Sequence, residues 1–312
     1  MNEPKVYIII LNWNGYADTL ECLSSVLNLA YQNYTVVIVD NGSEDASVER
    51  LKAVPGRVTV LATGKNLGYA GGNNYGLRYA LDQGDLDYAW ILNNDTVVDP
   101  AALSALVERA QADPRIGLCG SMVMHYSDRK RISALGGGYY DRWFGQSVHP
   151  GSGQLYDDGA INSYLKLEKK INYIEGCATL VSAAYLREIG LMNEEYFLFF
   201  EEIDWAVRGR KKFRLGIAPK SLVYHKGGAS IGQLETNQKI KSPARFGVLF
   251  DRYNTRNRLL FTLKYFPYAL PIVYLSVLGY LIDRLRCGAW SNAWVIIQAF
   301  GRHLLKLFRV QA

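Results

Sequence analysis

A chain of 312 residues, 49% hydrophobic and 21% charged, is long enough for a substantial core, and with no repeat or low-complexity tract it is neither fibrous nor largely disordered. The net charge of +6 hides an asymmetry: residues 1–205 carry 16 Lys/Arg against 26 Asp/Glu (−10), and residues 206–312 carry 19 against 3 (+16). The second part therefore suits an anionic partner. Four scattered cysteines without a CxxC pair argue against a disulfide framework and read as free cytosolic thiols.

The N-terminus MNEPKVYIIILNWNG has an apolar run too short for a signal-peptide core, so Val6–Leu11 is expected to be a buried parallel strand and not an export signal. NWNG is a turn, and Asp18 with Glu21 three residues on predicts a helix start. Thr35–Val39 is a second strand ending in DNGSED, and Val58–Ala62 a third leading into GKNLGYAGGNNYGLRYAL. Tyr88–Leu92 is a fourth, ending in NNDTVVDPAAL, where Asp99 is placed to cap a helix with Pro100 at its first position. Strands alternating with helices predict a parallel α/β sheet, whose ligands sit beyond the carboxyl ends of the strands, where these four polar loops lie.

Each loop taken alone is an ordinary turn or helix start. In the third, adjacent glycines and asparagines would let the backbone approach a diphosphate. In the fourth, a carboxylate beside Asn oxygens suits a hard divalent cation bridging phosphates. The absence of GxGxxG after the first strand, of a P-loop and of GxSxG argues against a dinucleotide oxidoreductase, a P-loop NTPase and an α/β-hydrolase.

The ordered set IIILNWNG, VDNGSED, NLGYAGGNNYG, LNNDT, EGCATLVSAAYLREIGLMNEEYF, FFEEIDWAVR and YHKGGAS resembles glycosyltransferase family 2, most closely its bacterial rhamnosyltransferase-like branch, over roughly residues 5–265. The resemblance implies an inverting enzyme with the GT-A fold, a Rossmann-like, mostly parallel sheet flanked by helices, using a nucleotide-diphosphate sugar. It implies that Asn12, Trp13, Asn14 and Asp40 meet the base and ribose, and that Asn66, Gly72 and Asn74 line the base and diphosphate. Asn93-Asn94-Asp95 occupies the family's DxD position, with Asn93 in place of its first Asp, so Asp95 is expected to ligate Mg²⁺ or Mn²⁺ together with His225.

The family keeps its general base in an acidic pair at a helix start, and the corresponding slots here are Glu201-Glu202-Ile203-Asp204. Inverting transfer is a single displacement that needs a carboxylate to take the acceptor hydroxyl's proton. Glu202 is the expected base, with Asp204 and Glu201 as alternatives because Glu is one methylene longer than the family's Asp. The preceding FLFF reads as an aromatic strand and, with Trp205, as the wall of a cleft. Gly176 and Cys177 are expected in the sugar and acceptor cleft, and Tyr253, Arg256 and Asn257 match a segment expected to contact acceptor or diphosphate. HYSDRKRISALGGGYYDRW reads only as a mobile loop.

Beyond Arg245 the chain alternates apolar runs with basic residues: 18 uncharged residues follow Lys264 and 15 follow Arg286. The first run is at the lower edge for a membrane span, and it carries two prolines and four tyrosines. In-plane association with an anionic leaflet is the favoured reading, beside a packed core or dimer surface and a true span. Nucleic acid is disfavoured, since the charges punctuate apolar runs and form no polar basic face.

Together these readings predict a GT-A domain over 1–240, with a nucleotide-binding half (1–100) and an acceptor and catalytic half (101–240), then a basic, aromatic helical region over 241–312. The expected activity is hexosyl transfer at the cytoplasmic face of the cell membrane. The donor is expected to be dTDP-L-rhamnose, or else a UDP-sugar, and the acceptor a lipid-linked glycan or polysaccharide. Rivals are a catalytically silent nucleotide-sugar binder or scaffold and a sugar nucleotidyltransferase, though NWNGYADT lacks the basic loop the latter needs.

Overall fold

Continuous Val/Ile runs have no polar face to turn to water, and in the computed structural model they line up as the centre of one sheet. The structure describes residues 3–54, 58–227 and 247–310, with side chains to 307. In chain order the elements of the first half are β1 (Val6–Asn12), α1 (Tyr16–Val26), β2 (Tyr34–Asp40), α2 (Ser47–Lys52), β3 (Val58–Ala62), α3 (Gly68–Asp82), β4 (Tyr88–Asn93), β5 (Thr96–Val98) and α4 (Ala102–Gln111). Then follow β6 (Ile116–His125), β7 (Ile132–Ala134), β8 (Gly137–Asp141), β9 (Gln146–Val148), α5 (Ile161–Leu167), β10 (Tyr173–Ile174), β11 (Ala178–Ser182), α6 (Ala183–Ile189), α7 (Glu201–Gly209) and β12 (Arg214–His225). Three helices end the chain: α8 (Val248–Tyr265), α9 (Leu270–Arg286) and α10 (Trp290–Val310).

The main sheet runs β3-β2-β1-β4-β11-β6-β12-β5, with β7 paired to β6. The first four strands are parallel; β11 runs antiparallel to both β4 and β6, so the sheet is mixed and flanked by helices. Parallel register sets Asn12 opposite Asp40 and Leu11 opposite Asn93, so the polar strand ends share one edge. Ile8, Ile10, Val36, Ile38, Trp90 and Leu92 form the buried core with α1 and α4. On the other face α3 lies close against β1: a Cβ at Gly72 would come within 2.4 Å of Leu11 Cδ1, and one at Gly76 within 2.6 Å of Ile9 Cγ2.

Two compact units are present. One comprises residues 1–139, 148–197 and 201–226; the other comprises 140–147, 198–200 and the C-terminal helices. In the second, Leu259, Val273, Val277 and Ile296 form a core of their own. The buried Arg284 guanidinium donates to both oxygens of Asp251, at 2.7 and 3.0 Å.

Three local expectations are corrected. Helix α1 begins at Tyr16, so Asp18 is not its cap and instead pairs with Lys226 Nζ at 2.6 Å. The stretch 125–143, expected as a mobile loop, holds the whole of β7 and β8, which pair with β6 and β10. FLFF is not a strand: Phe197, Phe199 and Phe200 have φ of 65°, 68° and 76°, in the left-handed region that no strand contains.

Candidate active site

Strand ends β1 and β2 build the first part of the site. Asn12 Nδ2 donates to Asp40 Oδ1 at 2.8 Å and to Ser43 Oγ at 3.1 Å, and Asn12 Oδ1 accepts from Thr19 Oγ1 at 2.7 Å. Asp40 also takes the Ser43 hydroxyl at 2.6 Å on Oδ1 and the Ser43 N–H at 3.0 Å on Oδ2. DNGS is therefore an Asx-type turn that fixes a buried carboxylate, and Gly42 adopts φ +73° within it. Asn14, at φ 50°, continues the network: its N–H donates to Ser43 Oγ and its Oδ1 accepts from Glu44 N–H. Trp13 lies beside it, half-buried.

Register assembles the second part. Antiparallel pairing of β5 with β12 sets Thr96 opposite His225, which brings Asp95 Oδ1 to 3.2 Å from His225 Nε2. Burial disfavours the imidazolium, but Cys177 and the Asp95 carboxylate together hold its pKa well above the usual histidine value. The Cys177 thiol is itself pushed up by burial and stays neutral, so the carboxylate supplies the charge. Asn93 Oδ1 is buried with no hydrogen-bond partner among the described residues. Asn94 Nδ2 donates to Thr19 Oγ1 at 3.1 Å, tying this loop to the first.

Carboxylate, carboxamide oxygen and imidazole suit a divalent cation. Among the described residues no three His, Cys, Asp or Glu side chains gather as a closed metal cage. Two protein ligands with the rest of the shell left to phosphates and water is an ordinary arrangement for a cation that bridges a diphosphate.

The acidic cluster forms the third part. Glu201 and Asp204 are buried and Glu202 is half-buried, all in the first turn of α7. Asp204 is engaged structurally, accepting from Arg208 Nε at 2.7 Å and from the Tyr196 hydroxyl at 3.3 Å. Tyr69 lies beside the other two: burial first, then Glu201, Cys177 and Glu202, push its phenol pKa well up. Its hydroxyl donates to Gly176 O at 2.6 Å, so Gly176, Cys177, Glu201 and Glu202 converge around one neutral phenol.

Several expected site residues are engaged elsewhere. Gly72 serves the α3–β1 contact, and Asn74 donates to Met192 O and Glu194 Oε1 while accepting from Met192 N–H. Asn66 accepts from Gly68 N–H and from Asn41 Nδ2, shaping the start of α3. Trp205 is core: it is 1% exposed, meets Tyr185 edge-on and donates Nε1–H to Gly190 O. Arg256 donates to its neighbour Asn257, whose amide in turn holds backbone carbonyls. Of YHKGGAS, residues 228–230 lie outside the described residues.

Sequence reasoning missed Ser43 and Tyr69, although both lie inside quoted motifs. It also missed the His149–Glu175 pair, at 2.9 Å beside Gly176, whose members come from segments with no shared pattern.

Residues 7–189 match the family model described as Glycosyl transferase family 2. The chain is 24% identical over 208 residues to the low-salt glycan biosynthesis hexosyltransferase Agl10 of Haloferax volcanii, a match covering 66% of this chain and 61% of that protein. It is 25% identical over 235 residues to the N-acetylglucosaminyl-diphospho-decaprenol L-rhamnosyltransferase of Mycobacterium tuberculosis, covering 69% and 74%. It is 24% identical over 271 residues to the dTDP-rhamnosyl transferase RfbF of Shigella flexneri, covering 83% and 80%. Among solved structures, a mannosyltransferase from Pyrobaculum calidifontis in complex with GDP-Man and Mn²⁺ superposes with a TM-score of 0.56 at 15% identity, over 97% of this chain and 88% of that one. The fold is thus of the GT-A type.

Proposed function

Because the chain belongs to glycosyltransferase family 2, a family of nucleotide-sugar transferases, we propose that it performs inverting transfer of a hexose to a lipid-linked glycan or growing polysaccharide. dTDP-L-rhamnose is the first donor to test and UDP-sugars the second; the rhamnosyl assignments of two relatives support that order. The observation that carries the reading is the approach of Asp95 Oδ1 and His225 Nε2 to 3.2 Å beside the buried Asn93 oxygen.

In this reading Asn12, Asn14 and the Ser43-braced Asp40 receive base and ribose. Asp95 and His225 hold Mn²⁺ or Mg²⁺, with the Asn93 oxygen beside them. When bound, the cation neutralises charge on the departing diphosphate. Glu202 takes the proton of the acceptor hydroxyl as its oxygen bonds to the anomeric carbon; the bond from that carbon to the diphosphate oxygen breaks, and configuration inverts. Glu201, more deeply buried, and the Tyr69 hydroxyl on Gly176 O shape the floor beneath the sugar.

The test is release of nucleoside diphosphate by purified protein, in detergent, over a panel of nucleotide-sugars with Mn²⁺ or EDTA. Release from one donor, abolished by EDTA and by Asp95→Ala, supports the reading and names the sugar. Absence of calorimetric binding to every donor overturns it.

We also propose that the C-terminal helices hold the enzyme against the cytoplasmic face of the cell membrane. Helix α9 buries Val273 and Val277 within its own unit and exposes Ile272, Leu275, Leu278, Ile282 and Leu285. Helix α10 exposes Trp290, Trp294, Ile297 and Leu305. The exposed cations Lys264, Arg286, Arg302 and Lys306 complement anionic headgroups. Residues Pro267–Arg286 are long and apolar enough to span, at mean hydropathy 1.3, yet the face buried in its own bundle supports an in-plane position. Flotation with phosphatidylglycerol vesicles, weakened about tenfold in Trp290→Ala/Trp294→Ala, is the expected result. Equal recovery of the variant overturns it.

A further inference from the structure

Three of the four residues immediately before α7 hold a backbone conformation that aromatic side chains strongly disfavour, with φ of 65° at Phe197, 68° at Phe199 and 76° at Phe200. Such strain persists only where the surroundings over-determine it, and it gathers at functional sites. Here each of the first three carbonyls is held. Phe197 O accepts from Tyr69 N–H at 2.6 Å. Leu198 O and Phe199 O both accept from one carboxamide, Asn257 Nδ2 on α8, at 2.8 and 2.9 Å.

Asn257 suits the task in three ways. It is fully buried, so water does not compete for its two N–H groups. Its Oδ1 accepts from Arg256 Nη1 at 2.6 Å, which sets the amide with its NH₂ toward the carbonyls. The rings it leaves behind are packed as well: Phe199 against Phe250, and Phe200 against Tyr140 and Phe261. The next residue is Glu201, and Glu202 follows in the first turn of α7.

We propose that Asn257 is a positioning residue for the catalytic carboxylate: by bridging Leu198 O and Phe199 O it holds the strained turn that aims the start of α7. This rests on the reading of Glu202 as general base. It replaces the expected contact of Asn257 with acceptor or diphosphate, since the carboxamide is engaged at both ends. Relaxing the turn would let residues 199 and 200 return to negative φ, and the direction in which the chain enters α7 would change with them. A misplacement of about 1 Å in a reacting group is enough to cost about 100-fold in rate.

The test uses the full-length protein with Asn257→Asp, which keeps the size and the acceptor for Arg256 but replaces the donor NH₂ by an oxygen facing two carbonyls. Asn257→Ala serves as the second variant. Turnover, acceptor KM, the dissociation constant of nucleoside diphosphate with Mn²⁺, and amide hydrogen exchange of residues 197–202 are measured together. The expected result is kcat about 100-fold lower in both variants, nucleotide affinity within about twofold, and faster exchange confined to 197–202. Turnover within threefold of the parent overturns the proposal. Nucleotide affinity falling in step with kcat, with exchange faster throughout, also overturns it and makes Asn257 a general folding residue. If the parent chain binds no donor, the reading of Glu202 fails on its own, and the exchange measurement still decides whether Asn257 holds the turn.

Discussion

The turn after β2 and the turn before α7 each fix acidic groups, and they do so by opposite means. Asp40 is satisfied almost from within its own tetrapeptide: the N–H and hydroxyl of Ser43 return to it, and only Asn12, its register partner, comes from outside. The Phe197–Phe200 segment is instead held through Tyr69 and Asn257, both remote in sequence, and is strained where Asp40 is relaxed. A locally closed turn forms with little loop-closure entropy, so the geometry around Asp40 depends on few other parts of the chain. A turn held from a distance depends on the completed fold. Damage to the first should therefore appear in donor affinity and damage to the second in turnover.

The sharpest trial of that division is Glu202→Gln. The amide cannot take the acceptor proton, so kcat should fall about 10³-fold while nucleotide binding, measured by calorimetry, stays within about twofold. If Glu201→Gln shows that loss and Glu202→Gln does not, the base is Glu201. Next in size is His225→Ala, which removes one ligand at the edge of the donor side. The Mn²⁺ concentration for half-maximal nucleotide binding should rise about 10- to 100-fold, with Asp95→Ala at least as severe. An unchanged Mn²⁺ requirement in both would remove the metal from this corner of the sheet.

The same contrast explains what could be read ahead of the structure. Strands β1 to β4 were legible to within a residue at each end because buried parallel strands are written as local β-branched runs. The acidic cluster was placed correctly at a helix start, since EEID in a first turn is a local signal too. The turn before it was not legible: FLFF carries strand propensity, and Tyr69, Asn257 and the packing of the Phe rings, all supplied from far off in sequence, override it. The packing roles of Gly72 and Asn74 were not legible for a related reason. Small and amide residues in a glycine-rich motif serve ligand approach or helix packing equally well, and the choice is made by Leu11 and Met192, which the motif does not contain. Likewise the Asp95–His225 contact follows from the β5–β12 register, and without the resemblance neither residue names the other.

A smaller effect is expected from Asp40→Asn. Oδ1 accepts two donors and Oδ2 a third, so whichever position the new NH₂ takes, it faces a donor. Leaving one buried N–H unmet costs about 1–3 kcal/mol. Because the turn is local, the loss should stay on the donor side, as about a tenfold rise in donor KM with kcat within about twofold. A proportionate fall in kcat would show that the two regions are coupled after all.

The smallest effect lies on the approach to the strained turn. Glu194 accepts from Asn74 Nδ2 at 2.9 Å and from Arg78 Nη2, and these bonds outweigh burial and hold its carboxyl below the usual range. A carboxylate whose folded pKa is depressed adds stability that is fully present above its unfolded pKa and is lost as pH falls through the folded one. The melting temperature of Glu194→Gln should therefore lie slightly below that of the parent at pH 7, and the gap should close below about pH 4. Half of this side chain is in water, so the shift should be small and weaker still in high salt. The absence of any gap at pH 7 would mean that Glu194 works through the neutral hydrogen bond from Asn74, which the Gln oxygen can also accept. The approach to α7 would then be held, like the turn itself, by amides and not by charge.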